Sequence, residues 1–174
     1  MQLTKRGLMA LATYAALPVP ALSATPSPLA SSISPDERAL IERACERLMF
    51  EYTHLLDHGE AARVADLFTV DGVMKARDGT MSGRDSIRQG YQARQDITAR
   101  MSRHVCTNAL IDVLDRDTAR GTVYLTLYRH DGVPGRATSP TQSPTLLGEY
   151  RDEFRRTPLG WKFHRREIIV SFIG

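Results

Sequence analysis

Apolar residues recur at helical spacing from Ile41 onward. Ile41, Cys45, Leu48, Tyr52 and Leu55 share one face, and Ala44 and Leu56 widen the stripe. Spacing by three and four residues marks an amphipathic helix with one buried side. Its start is written in Ser34-Pro35-Asp36-Glu37: a hydroxyl cap, a proline whose missing N–H costs nothing in the first turn, and two acids at the positive end of the helix. His58-Gly59 ends it, because glycine takes the left-handed conformation with no Cβ penalty. Residues 60–68 predict a second, short helix with Val64, Leu67 and Phe68 on one side. Residues 70–77 predict a short strand, turned by Asp78-Gly79. Ser82-Gly83-Arg84-Asp85 opens a third helix that runs to about Gln95.

Beyond residue 101 the period changes to two. Residues 102–114 and 118–129 alternate and are joined by a tight Asp115-Arg116-Asp117 turn; residues 146–156 and 161–172 form two more strands around Pro158-Leu159-Gly160. Residues 130–144 hold two glycines and three prolines and predict a loop. Three helices followed by strands predict an α+β domain. The expected architecture is three N-terminal helices packed in a strongly curved antiparallel sheet, a cone-shaped barrel with one open-mouthed cavity suited to a small apolar ligand.

Composition changes this picture at the N-terminus. The chain has 174 residues, 42% hydrophobic and 25% charged, enough for one domain with a core. Lys5 and Arg6 precede an apolar run from Leu8 to Leu17, followed by Pro18, Pro20 and small residues. That is the layout of a secretory signal, too short in its apolar part to span a bilayer. Residues 1–24 are therefore expected to be a signal peptide for export to a bacterial periplasm; a misassigned start codon would leave the protein cytoplasmic. Residues 25–33 are expected to be a Ser/Pro linker, and 34–174 the folded domain. Removing 1–24 deletes two cations and no acids, so the net charge falls from +3 to +1. The remaining cations are dispersed among acids, as in Arg151, Asp152, Glu153 and Arg155, which argues against a nucleic-acid partner. Cys45 and Cys106 lie in a helix and a strand and are expected to be free thiols; no Cys/His spacing suits zinc, and neither metal nor cofactor is expected.

The candidate chemistry sits at two positions. Asp57 ends the first helix, and His104 opens a strand. A carboxylate that accepts from one imidazole nitrogen fixes the tautomer and leaves the other nitrogen free to take a proton. A satisfied strand histidine beside a solvated helix-end acid is the competing reading, and His54 and His58 are alternative partners for Asp57.

These segments resemble the SnoaL-like branch of the nuclear-transport-factor-like superfamily over roughly residues 35–172. The resemblance is carried by Leu55-Leu56-Asp57 with Ala61 to Phe68 and Asp71-Gly72; by Gly83-Arg84-Asp85-Ser86-Ile87; by His104-Val105-Cys106-Thr107-Asn108; and by Gly148-Glu149-Tyr150-Arg151-Asp152-Glu153-Phe154 with Gly160-Trp161-Lys162-Phe163. By motif the chain is similar to the hexachlorocyclohexane dehydrochlorinase and scytalone dehydratase group. The resemblance implies a His104 base held by Asp57, and it puts Arg166 where a cation stabilises developing negative charge. The chain departs from scytalone dehydratase in having Leu56, where that family has tyrosine, before the aspartate.

Tyr52, Tyr150 and Asn108, the only asparagine in the chain, are the candidate substrate-binding residues. Trp161 and Phe163 are expected in the core. Three functions are therefore expected in order: a cofactor-independent lyase or isomerase for a small hydrophobic cyclic substrate; a non-catalytic small-molecule-binding or dimerisation domain; and the small subunit of an aromatic-ring dioxygenase, against which a signal peptide argues. The resemblance also implies a homodimer.

Overall fold

The computed structural model describes residues 33–132, 138–140 and 143–174. The expected signal peptide, all of the expected linker except Ile33, and part of the 130–144 loop lie outside them. Ile33 is buried in the core, so the packed domain begins one residue inside that linker.

Helix α1 spans Pro35–Asp57 and starts as its sequence dictates. The Ser34 hydroxyl accepts from the Glu37 N–H at 3.1 Å. Past its end, Gly59 adopts φ +76° and the Glu60 N–H reaches back to the Leu55 carbonyl at 2.9 Å. The predicted stripe is the buried face, with Met49 and Thr53 added and Ala44 only half-buried. The expected second helix is a 3-10 helix, Ala61–Leu67, without a side-chain cap. Its last predicted residue, Phe68, instead starts strand β1, Phe68–Ala76. Strand β2, Gly79–Ser82, is short and mostly exposed, so it carries no alternation to read. Helix α2, Arg84–Gln95, buries Ile87 and Tyr91. The long strands β3 (Arg100–Val113), β4 (Thr118–Asp131), β5 (Leu146–Thr157) and β6 (Gly160–Ile173) follow.

The six strands form one sheet in the order β2-β1-β6-β5-β4-β3. The α+β architecture is as expected, with two differences: β1 pairs parallel to β6, so the sheet is mixed, and edge strands β2 and β3 leave it open. A parallel pairing needs a long crossover, here everything from β2 to β5, and local alternation cannot show it. Register shifts in β1, β3 and β6 mark bulges, which bend long strands and let the sheet curl around α1. Close approach of α1 depends on Gly121 of β4. A Cβ there would meet Ile111 at 2.6 Å and Met49 at 2.7 Å. The core lies between α1 and the concave sheet, with Phe68, Phe154 and Phe163 at its centre.

Candidate active site

Strand β3 runs past the C-terminal end of α1 with Ser102, His104 and Cys106 on its more buried row. This brings His104 to Asp57 across 47 residues. The His104 main-chain N–H donates to Asp57 Oδ2 at 2.8 Å, and ring Nδ1 lies 2.6 Å from Oδ1. The Ser102 hydroxyl donates to the same Oδ1 at 3.0 Å. An ionised carboxylate only accepts, so Nδ1 carries the proton and Nε2 of the neutral ring presents a lone pair. No described residue hydrogen-bonds to Nε2. The His104 and Asp57 side chains are 5% and 8% exposed. Burial pushes the Asp57 carboxyl up, but the His104 ring, the His104 N–H and Ser102 outweigh it and hold the group below its ordinary range.

Arg166 has a different setting from the one expected. It is fully buried, and its Nε and Nη2 each donate to Asp152 at 2.7 Å. Its guanidinium carbon sits 4.3 Å from the Tyr52 ring centre and 4.2 Å from those of Tyr150 and Phe163. Burial works against the Arg166 charge, and the Asp152 carboxylate more than offsets it, so the guanidinium stays ionised. Nη1 is enclosed without a hydrogen-bond partner, facing a cage of π-electrons. A cation with no solvent-exposed surface and two bonds to a carboxylate is built into the core.

Tyr52 and Tyr150 both pack on Arg166, with ring centres 5.6 Å apart. The Tyr52 hydroxyl pairs closely with that of Tyr91, a residue the sequence did not single out. Burial raises all three phenols, Tyr91 and Tyr150 well above their ordinary value, which favours their protonated forms. Asn108 is not brought to the dyad. It lies exposed at the β3 bulge with φ +56°, a conformation asparagine tolerates better than most residues. His54 and His58 stack on each other, ring centres 4.0 Å apart, on the exposed side of α1 and do not compete for Asp57. Phe163 is core as expected, and Trp161 packs against it from the edge. Both cysteines are free.

Four residues of the site escaped the sequence reading: Ser102, Arg94, Tyr91 and Asp152. Each left a trace. Ile87, Tyr91 and Arg94 fall on one face of α2 at helical spacing, Ser102 shares His104's row, and Asp152 alternates with Tyr150 and Phe154 on the buried row of β5. An acid on an inward row calls for a buried cation.

Two depressions lie near the dyad, one sharing Ser102 and the other Asp57, and neither is lined by His104. One of about 250 Å³ is lined by Met101, Ser102, Arg103, Tyr128, His130, Ser139 and Pro140. A smaller one of about 50 Å³ lies behind Asp57, against Arg94, Gln95 and Arg100. Among the described residues no group of His, Cys, Asp and Glu is arranged to hold a metal ion, and no helix is long and apolar enough to cross a membrane.

Residues 37–167 match the sequence profile of the SnoaL-like domain. The chain belongs to the SnoaL-like family. No curated protein matches it at significance, whereas many solved structures do. A protein from Novosphingobium aromaticivorans provisionally assigned as a scytalone dehydratase is 24% identical, over 80% of this chain and 89% of that one, with a TM-score of 0.68. A type 2 hexachlorocyclohexane dehydrochlorinase, LinA, is 18% identical over 81% and 92%, with a TM-score of 0.67. An NTF2-like protein with a cystatin-like fold, also from N. aromaticivorans, is 27% identical over 76% and 84%, with a TM-score of 0.63. This SnoaL-like chain thus shares its fold with proteins named as a dehydratase and a dehydrochlorinase.

Proposed function

We propose that this SnoaL-like protein is a cofactor-independent lyase or isomerase that removes a proton from a small hydrophobic cyclic substrate. His104 Nε2 is the base and Asp57 its anchor. The observation that carries this reading is the 2.6 Å contact from His104 Nδ1 to Asp57 Oδ1, which leaves the other ring nitrogen without a hydrogen-bond partner among the described residues in a largely buried setting. In such surroundings the imidazolium formed by proton transfer is stabilised by the adjacent carboxylate. The Tyr52 hydroxyl, paired with Tyr91, is the donor we assign to the developing oxyanion or leaving group, with Tyr150 beside it. The enclosed Arg166 acts on that site only through its positive potential.

The test needs no knowledge of the full reaction. A panel of small cyclic compounds bearing a C–H next to a carbonyl or a leaving group is incubated in D2O and followed by NMR for deuterium uptake or elimination. Turnover that vanishes in His104→Gln supports the proposal; turnover retained in that variant sinks it.

A second reading, a non-catalytic pocket that binds a small hydrophobic molecule, gains from one observation: Arg166 is already neutralised by Asp152. Compounds that raise the melting temperature without exchange or elimination would favour it. We also propose export, for which the charged and then apolar leader speaks, and a homodimer. Support for the dimer comes from the apolar outer face of the sheet, where Val105, Tyr124, Leu147 and Phe172 are exposed on adjacent strands.

A further inference from the structure

We infer that Arg94, acting through Ser102, is a positioning residue that supplies the counter-charge of the Asp57–His104 pair. This deepens the proposed function and rests on His104 being its base.

The geometry fixes the polarity of the chain of bonds. Arg94 Nη2 donates to Ser102 Oγ at 2.9 Å, and Ser102 Oγ donates to Asp57 Oδ1 at 3.0 Å. A guanidinium cannot accept, so the single Ser102 hydroxyl hydrogen is directed at Asp57. The order is Arg94 to Ser102 to Asp57, with His104 donating from the other side. Ser102 is 4% exposed, and Arg94 is half-buried with no ion pair among the described residues. A cation so placed needs an anion, and Asp57 is one hydroxyl away.

The charge count gives the chemical reason. An enclosed Asp57 carboxylate beside a neutral imidazole carries one net negative charge. With Arg94 the three groups together are neutral, so the carboxylate has a cation one hydroxyl away.

Other charged and titratable groups around the pair are accounted for. From β3, Arg100 is held at two nitrogens by Asp131, at 2.7 and 2.8 Å, and exposed Arg103 gives Nη1 to the carbonyls of Ser102 and Asp57. Cys106 lies two residues along the same strand. From β4 the residue opposite His104 is Leu127, with Tyr128 and His130 nearby. From α1 come Tyr52 and the outward His54 and His58, from α2 Tyr91, and from β5 and β6 Tyr150 and the mutually neutralised Asp152 and Arg166. Among these cations, Arg94 alone reaches the carboxylate oxygens through one side chain.

The experiment follows the His104 C2 proton by NMR against pH without substrate, its resonance assigned by its loss in His104→Gln. Removing a half-buried charge in Arg94→Gln is expected to raise the titration midpoint by about one pH unit over the parent. Arg94→Lys is expected to stay near the parent. Arg103→Gln, a loss of solvent-screened charge, is expected to move it much less than Arg94→Gln. Ser102→Ala, which cuts the bridge and keeps both charges, covers the case in which Arg94→Gln does not fold, and should give a smaller rise. An unmoved midpoint in Arg94→Gln, or in Ser102→Ala where that variant stands in, overturns the inference. Midpoints that move as expected while no substrate shows His104-dependent exchange overturn the catalytic reading and leave this one standing.

Discussion

His104 gives two hydrogen bonds to one carboxylate: its main-chain N–H to Asp57 Oδ2 and its ring Nδ1 to Oδ1. The backbone bond fixes where β3 lies against the end of α1, and the ring bond fixes which way the imidazole faces. A slip of β3 by one residue would turn His104 to the opposite face and break both.

Asp57→Asn tests the charge in that grip while keeping its shape. The amide retains hydrogen-bonding groups but lacks the charge that steadies an imidazolium. Turnover on any substrate found in the exchange screen is expected to fall ~10²–10⁴-fold. Steady-state kinetics should show the loss in kcat; a variant within a few-fold of the parent would remove Asp57 from the mechanism.

Asp152 and Arg166 carry structural weight. Arg166→Met leaves an enclosed carboxylate without its partner, which costs about 3–5 kcal/mol in comparable buried pairs. Urea unfolding is expected to show a loss of that size. The double change Asp152→Leu with Arg166→Met should recover more than half of it, because no charge is then stranded. Equal loss in the single and double variants would contradict this account.

Acid stability follows from Asp57. Its carboxyl is held below the ordinary value of 3.8, so folding favours the ionised form. The stability this contributes is fully present above the unfolded-state value and is lost as pH falls through the depressed folded value. The stability difference between the parent and Asp57→Asn, measured by urea titration, should be larger at about pH 5 than at about pH 3 and shrink as pH falls below about 4. A difference that grows on acidification would reverse the sign and the assignment.

Both thiols should be inert in the native protein. Burial, followed by the nearby Asp152 and Glu46 charges, pushes Cys45 up to about 12. Burial also raises Cys106, against the Arg166 charge. A disulfide reagent at pH 8 is expected to react slowly with the folded chain and with both cysteines after denaturation. Immediate native reaction of Cys106 would show an opening near His104 that burial does not suggest.

The dimer has a direct check. Light scattering is expected to give twice the chain mass for the parent and the chain mass for a Tyr124→Asp, Phe172→Asp double variant, which puts charges into the apolar outer face. A monomeric parent at micromolar concentration would remove the dimer proposal.

How far the sequence reached can be seen residue by residue. The Ser34 cap, the Ile41 to Leu55 stripe and the four long strands were legible, because capping, helical period and strand alternation are interactions between near neighbours. Asp57 at a helix end and His104 on an alternating strand were legible as candidates. Arg166 was legible as a cation but its pairing was not, because its partner Asp152 stands 14 residues away on another strand and only the β5–β6 register brings them opposite. Asn108 looked like a ligand residue since its local sequence does not show the bulge that turns it outward.

By itself the sequence determined the α+β class, the first helix and the four long strands through short-range patterning, and with the family resemblance it offered Asp57 and His104 as candidates. Only the tertiary structure decided that β1 runs parallel to β6, that Asp57 receives three donors, and that Arg94 and Arg166 divide between the dyad and the core. The reason is that a buried charge chooses its partner from whatever the chain's long-range contacts bring within reach. Those contacts are set by strand pairing and helix packing across tens of residues, which no local pattern records.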